Sequence, residues 1–76
     1  MSLEQKISKI FANVFEVEIA DVPSLEYQSV EEWDSIGHMM MISELEEEFQ
    51  ISIEMEDVIV ISNLAECVAI IRKYTQ

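Results

Sequence analysis

A serine at the predicted start of a helix is the residue of this chain best placed to do chemistry. Asp34 and Ser35 precede an amphipathic stretch, so either residue is suited to be the N-cap of that helix. The first turn of a helix has unpaired backbone N–H groups and the positive end of the helix dipole, and both favour a phosphate group. Ser35 is therefore a natural place for a phosphate ester, and a serine at this position can equally be no more than the N-cap of the helix.

A serine hydrolase is the enzymatic alternative, with Ser35 as nucleophile and His38 as base. The sequence has neither a glycine-rich nucleophile elbow nor a recognisable oxyanion hole, and His38 lies only three residues further along the same helix. We therefore assign no catalytic residue and expect that the protein is not an enzyme. His38 is interpreted instead as an exposed side chain on a docking surface.

The sequence also argues against a metal site. Cys67 is the one cysteine and His38 the one histidine, so the chain has no Cys/His cluster of the kind that binds zinc, and it has no recognisable calcium loop. Cys67 falls on the apolar stripe of the last predicted helix. We interpret it as a buried small hydrophobe rather than a reactive thiol.

The chain is strongly acidic, with sixteen acidic residues against four basic ones and a formal net charge of −12. This charge repels nucleic-acid phosphates and anionic membrane surfaces, so we expect basic protein partners and neither nucleic acid nor membrane as a ligand. No apolar stretch approaches the roughly 20 residues that cross a bilayer, and no secretory signal is recognisable. We expect a monomeric, cytoplasmic protein that forms a single domain over residues 1–76.

Hydrophobic periodicity predicts a first helix from Leu3 to Val14, with Ser2 and Gln5 as its capping box. Residues 16–32 break that period. They are predicted to form a long connection with at most a short turn of helix, pinned to the core by its apolar residues. Trp33, which follows, is predicted to cover the core beside this loop, or else to shield a group bound at Ser35.

The second half of the chain predicts three more helices. The helix that begins at Asp34 or Ser35 continues to Phe49. The alternation of polar and apolar residues over 51–61 also fits a β-hairpin, but two lone short strands are rarely stable, and the acidic residues at 54–57 suit the first turn of a short helix. Asn63 or Ser62 can cap the last helix. The predicted fold class is therefore all-α.

Asp34-Ser35-Ile36 and the later Leu45-Glu46-Glu47-Glu48-Phe49 resemble segments of the acyl carrier proteins and of the wider family of phosphopantetheine-binding carrier domains. The resemblance covers nearly the whole chain. It implies a right-handed, acyl-carrier-like four-helix bundle with three major helices, one short helix and a long first loop. It also implies that 4′-phosphopantetheine from coenzyme A is attached covalently to Ser35, beside Asp34 and Ile36, and carries an acyl or aminoacyl group as a thioester.

The resemblance implies partners as well: a phosphopantetheinyl transferase, and acyl-activating and acyl-transfer enzymes with basic or apolar docking patches. Positions 37–40 differ from the acidic and small polar residues of many fatty-acid carriers. They are more typical of specialised stand-alone carriers that serve polysaccharide, lipid or secondary-metabolite pathways. Gly37 is expected either to permit a close backbone approach or to loosen the helix. The predicted docking residues are Ile36, Met39, Met40, Glu44, Glu47, Glu48, Glu56 and Asp57.

The apolar stripes of the helices converge on the interior of the bundle, where they are predicted to enclose an expandable space for the acyl cargo. The predicted pocket residues are Phe11, Met41, Ile42, Leu45, Ile53, Ile61 and Ile71. A peptidyl or aminoacyl carrier stays open as an alternative, although the paired glycines typical of peptidyl carriers are missing before Ser35. The other alternative is an unmodified acidic helical adaptor that binds one basic protein.

Overall fold

The computed structural model describes residues 2–76. It contains four α-helices, α1 (Leu3–Phe15), α2 (Ser35–Phe49), α3 (Met55–Val58) and α4 (Leu64–Thr75), and a 3-10 helix (Ile19–Ser24) within the long first connection. Over these residues there is no strand, and the β-type pairing is an isolated bridge between Glu26 and Asn63. The predicted all-α, acyl-carrier-like fold with three major helices and one short helix is confirmed.

The helix starts follow the predicted capping chemistry. In α1 the Ser2 hydroxyl accepts from the Gln5 amide at 3.1 Å, and the Gln5 side chain accepts from the Ser2 amide at 2.9 Å. This reciprocal pair is the predicted capping box. In α4 the Asn63 side chain accepts from the Glu66 amide at 2.9 Å, so Asn63 rather than Ser62 is the N-cap.

The core lies between the three long helices and is closed on one side by the long connection. That connection is pinned by Val22 and Leu25, which are buried, whereas Tyr27 remains exposed. Phe15 and Trp33 are also fully buried, although the sequence pattern did not assign Phe15 to the core. The buried core residues are Ile7, Phe11, Phe15, Val22, Leu25, Trp33, Met41, Ile42, Leu45, Ile53, Val58, Ile61, Cys67, Val68 and Ile71. Within residues 2–76 no helix combines the length and the apolar character that crossing a bilayer requires.

The segment after α2 forms the predicted short helix and not the hairpin. The Glu46 carboxylate accepts from the Ile53 amide at 2.8 Å. This hydrogen bond holds the segment between α2 and α3 against α2. The acidic residues that follow surround the start of α3, where the helix dipole favours negative charge. Asp57 of α3 is bound to α4, because its carboxylate accepts from Lys73 Nζ at 2.8 Å and from the Tyr74 hydroxyl.

Loss of the Asp57 carboxylate is expected to destabilise the fold in a pH-dependent way. The hydrogen bonds from Lys73 and Tyr74 hold the pKa of Asp57 below its usual value. A lowered folded-state pKa means that the stabilisation is fully present above the usual aspartate pKa and is lost as the pH falls through the folded-state pKa. Asp57→Asn should therefore lower the urea midpoint near neutral pH. The difference in urea midpoint between this variant and wild type should shrink progressively as the pH falls below about 4.

Glu56→Gln, on the exposed neighbour in α3, is the matched control and should have a midpoint close to that of wild type at neutral pH. A difference between Asp57→Asn and wild type that stays constant down to strong acid would show that the charge of Asp57 contributes nothing.

Candidate functional site

Ser35 is the first residue of α2 and is exposed. The preceding Asp34 is the N-cap: its side chain accepts from the Gly37 amide at 2.8 Å, and its carbonyl accepts from the His38 amide at 2.8 Å. Over residues 2–76 the Ser35 hydroxyl and the amides of Ser35 and Ile36 make no hydrogen bond. An exposed hydroxyl and two unpaired backbone donors therefore lie together at the positive end of a helix dipole.

Gly37 allows the segment before Ser35 to pack directly on the first turn of α2. A Cβ atom built on Gly37 would lie 1.9 Å from the carbonyl oxygen of Glu32, a distance that no carbon and oxygen atoms can keep without covalent bonding. Of the two roles expected for this glycine, the structure shows the close approach. The position of Ser35 is thus fixed from both sides, by the Asp34 cap and by the Glu32 carbonyl.

His38 differs from the sequence-based expectation, which placed it exposed on a docking surface. It is half-buried, and both ring nitrogens are engaged. Trp33 Nε1–H donates to His38 Nδ1 at 3.0 Å, and His38 Nε2 lies 2.8 Å from the carbonyl oxygen of Val58. An indole N–H only donates and a carbonyl only accepts, so the ring is the Nε2–H tautomer. With its lone pair taken by Trp33, His38 has no free base for Ser35.

An aromatic stack, which the sequence pattern did not reveal, runs outward from the core. Phe15 and Trp33 are stacked at 4.5 Å with an interplanar angle of 14°, and His38 lies on the other side of Trp33 at 6.2 Å and 15°. Phe11 and Tyr27 meet the Trp33 ring edge-on. Trp33 therefore covers the core beside the loop, as predicted, and His38 is the outermost ring of the stack.

A groove lies one helical turn from Ser35, between the first turn of α2, the end of α3 and the long connection. Its volume is about 230 Å³, and it is lined by Tyr27, His38, Ile59, Ile61 and Ser62. Ile61 is 1 % exposed and belongs to the core, so the groove reaches the core at this residue. All seven predicted pocket residues, of which Ile61 is one, are buried in that core.

The outward face of α2 is apolar near Ser35. Ile36, Met39 and Met40 are 73 %, 47 % and 54 % exposed. Their spacing of three and four residues places them on one side of the helix. Further apolar residues, which sequence reasoning missed, are exposed on and after α3: Met55, Ile59 and Val60.

The acidic part of the predicted docking surface lies farther along α2. Glu44, Glu47 and Glu48 are exposed, as is Glu56 on α3. The last turn of α2 has no basic residue, so Glu47 and Glu48 lie at the negative end of the dipole, where acidic side chains are unfavourable. Asp57 corrects the prediction, because its carboxylate is not free for a partner: it is 16 % exposed and held by Lys73 and Tyr74.

Cys67 is buried, as predicted, and burial raises the pKa of its thiol to about 12. A thiol with such a pKa has almost no thiolate at neutral pH and reacts slowly with electrophiles. In the described part of the chain, no group of three or more His, Cys, Asp and Glu side chains is arranged to hold a metal ion.

Comparison with known proteins assigns the chain to a family. The family model described as the phosphopantetheine attachment site matches residues 5–71, which is most of the chain and includes Ser35. Neither the curated proteins nor the solved structures gave a match. Domains of the matched family are typically carriers without catalytic activity of their own, and they bind 4′-phosphopantetheine. The chain belongs to the family of phosphopantetheine-binding carrier domains.

Proposed function

We propose that Ser35 is the attachment residue for 4′-phosphopantetheine and that the protein delivers an acyl group to partner enzymes. The observation that carries the proposal is the exposed Ser35 hydroxyl at the start of α2, in a chain that matches the carrier family over residues 5–71. When bound, 4′-phosphopantetheine supplies the thiol that holds the cargo as a thioester.

The residues around Ser35 fit a phosphate ester. The amides of Ser35 and Ile36 have no other hydrogen-bond partner among residues 2–76, and the helix dipole favours a negative charge at this end. Asp34 is occupied by the Gly37 amide, so its role is to hold the turn rather than to contact the phosphate. Ile36 lies beside the attachment residue as an exposed apolar contact for partner enzymes.

We further propose that the partners are a phosphopantetheinyl transferase and the acyl-activating and acyl-transfer enzymes of a polysaccharide, lipid or secondary-metabolite pathway. Such partners would contact the apolar patch of Ile36, Met39 and Met40 and offer basic residues to Glu44, Glu47, Glu48 and Glu56. An acyl cargo is favoured over a peptidyl one because the paired glycines typical of peptidyl carriers are missing before Ser35.

The number of thiols that react with a thiol reagent provides a test with little background. Because Cys67 is buried and its pKa is raised, the unmodified folded protein should consume far less than one equivalent of a thiol reagent. After incubation with coenzyme A and a broad-specificity transferase, followed by desalting, one equivalent should react quickly. Ser35→Ala should gain none, and Ser43→Ala, which removes another exposed serine of α2, should gain one. A wild type without a new reactive thiol would contradict the proposal and leave the acidic adaptor in its place.

A further inference from the structure

We infer that His38 is a latch between α2 and α3 that determines where the cargo on Ser35 lies. With the latch closed, the cargo stays in the outer groove of Tyr27, His38, Ile59, Ile61 and Ser62, and a long alkyl chain does not reach the core. The pocket predicted within the core from the sequence is then accessible only when the latch is released. This inference rests on the proposed attachment to Ser35.

The position of α3 depends on a few contacts. A helix of four residues has no stability of its own, because nucleation outweighs the gain from so few hydrogen bonds. The most extensive backbone packing is that of α1 with α2, α4 and the 3-10 helix, and that of α4 with the 3-10 helix; α3 is in none of these pairs. Its attachments are the buried Val58 side chain, the binding of Asp57 to α4, and the hydrogen bond from His38 to the Val58 carbonyl. Within residues 2–76, the bond from His38 is the hydrogen bond that joins α3 to α2, the helix of Ser35.

The His38 ring lies between the buried aromatic stack and the groove. It is the outer member of the stack that continues inward through Trp33 and Phe15, both fully buried. On its other side it lines the groove, where Tyr27 meets it edge-on at 5.4 Å. His38 and the buried Ile61 are therefore the lining residues of the groove that border the core. The latch is the bond from the His38 side chain to the Val58 carbonyl, which holds α3 against α2.

The two hydrogen bonds of the ring fix it in that place. Trp33 holds Nδ1 at 3.0 Å and the Val58 carbonyl holds Nε2 at 2.8 Å, so rotation of the ring breaks both. The groove has a volume of about 230 Å³. This is below the roughly 300 to 1,000 Å³ of typical ligand pockets, so the groove fits a short acyl group better than a long alkyl chain.

The two hydrogen bonds can be separated by substitution. His38→Asn keeps an oxygen near the position of Nδ1, so it can accept from Trp33 but cannot reach Val58. His38→Gln reaches the Val58 carbonyl with an amide N–H and leaves Trp33 without its acceptor. His38→Ala removes both contacts. If His38 were only a structural partner for Trp33, the Asn variant would behave as wild type.

In the experiment, a broad-specificity transferase moves the acyl-phosphopantetheine group of acyl-coenzyme A onto the Ser35 hydroxyl and releases adenosine 3′,5′-bisphosphate. Each protein is loaded in this way with acyl groups of two, four and eight carbons, and its melting temperature is measured. In wild type and His38→Gln the melting temperature should be independent of chain length. In His38→Ala and His38→Asn it should rise by at least about 5 °C from the two-carbon to the eight-carbon chain, since buried methylene groups then stabilise the folded state. The emission of Trp33, the one tryptophan, should change with chain length in the same two variants only.

Intact mass confirms loading before each melt, so failure of attachment is distinguished from failure of the latch. A melting temperature that rises equally steeply in wild type and in His38→Asn would overturn the latch. A melting temperature that is indifferent to chain length in every variant would also overturn it, because no passage to the core would then exist. If His38→Ala does not fold, the comparison of His38→Asn with His38→Gln gives the same decision.

Discussion

Replacement of Gly37 by alanine is expected to destabilise the protein by roughly 2 kcal/mol or more, although alanine is the better helix former. The helix propensity gained is about 1 kcal/mol. The new Cβ atom, however, would lie 1.9 Å from the Glu32 carbonyl oxygen, and that atom is backbone and cannot rotate away. Relief of the clash must move residues 32–34, which include the buried Trp33 and the Asp34 cap. A fall in melting temperature of about 10 °C corresponds to this loss for a domain of this size.

Ile36→Ala in the same helical turn is the matched control for stability. Its side chain is 73 % exposed, so its melting temperature should stay within a few degrees of that of wild type. Loading of Ser35 should also be slower in Gly37→Ala, because the segment that positions the hydroxyl is displaced. A Gly37→Ala variant as stable as wild type would mean that the Glu32 carbonyl does not lie against this helix.

The double variant Met39→Glu with Met40→Glu is expected to weaken transfer to the native partner enzyme by at least about tenfold. Apolar residues at the centre of an interface carry a large share of the binding free energy, and 1.4 kcal/mol corresponds to a factor of ten. Both side chains are about half exposed on the outward face of α2, so new carboxylates there can be solvated without disturbing the core. The circular dichroism spectrum should therefore be that of the wild type, while KM for the loaded carrier rises.

Ile19→Glu provides a control on another surface. Ile19 is 56 % exposed on the 3-10 helix, away from Ser35 in the sequence and outside the predicted docking residues, so transfer should be unchanged. Glu47→Lys should instead slow association mainly at low salt, as expected of a charge at the rim of an interface. Normal transfer by the folded double methionine variant would show that this patch is not the docking face.

The features that could be predicted from the sequence depend on local chemistry or on a simple period. The capping box of Ser2 and Gln5 and the buried Cys67 follow from residue type and from position in a helical repeat. The same reasoning limits the caps of α2 and α4 to two neighbouring residues each, and the structure shows Asp34 and Asn63 in these roles. The acidic residues at 54–57 and the low stability of two lone short strands predict a short helix rather than a hairpin, and α3 confirms this.

The features that the sequence did not reveal depend on contacts between distant segments. The environment of His38 is set by Val58, twenty residues away, and by a tryptophan on the other side of the helix start. A histidine in the first turn of an amphipathic helix gives no local signal of such partners. In the same way, Asp57 has an acidic neighbour at the start of α3, but it is Lys73 and Tyr74 of α4 that take up its carboxylate. Gly37 belongs partly to each group. The sequence gives it two possible roles, a close backbone approach or a loosened helix, and only the position of the Glu32 carbonyl shows that the first is correct.

The most direct test of attachment at Ser35 is the intact mass of the protein after incubation with coenzyme A and a broad-specificity phosphopantetheinyl transferase. Wild type and Ser43→Ala should each gain the mass of one 4′-phosphopantetheine, and fragmentation should place that mass on the peptide that contains Ser35. Ser35→Ala should keep its original mass. A wild type that stays unmodified, or a Ser35→Ala variant that is still modified, would contradict attachment at this serine.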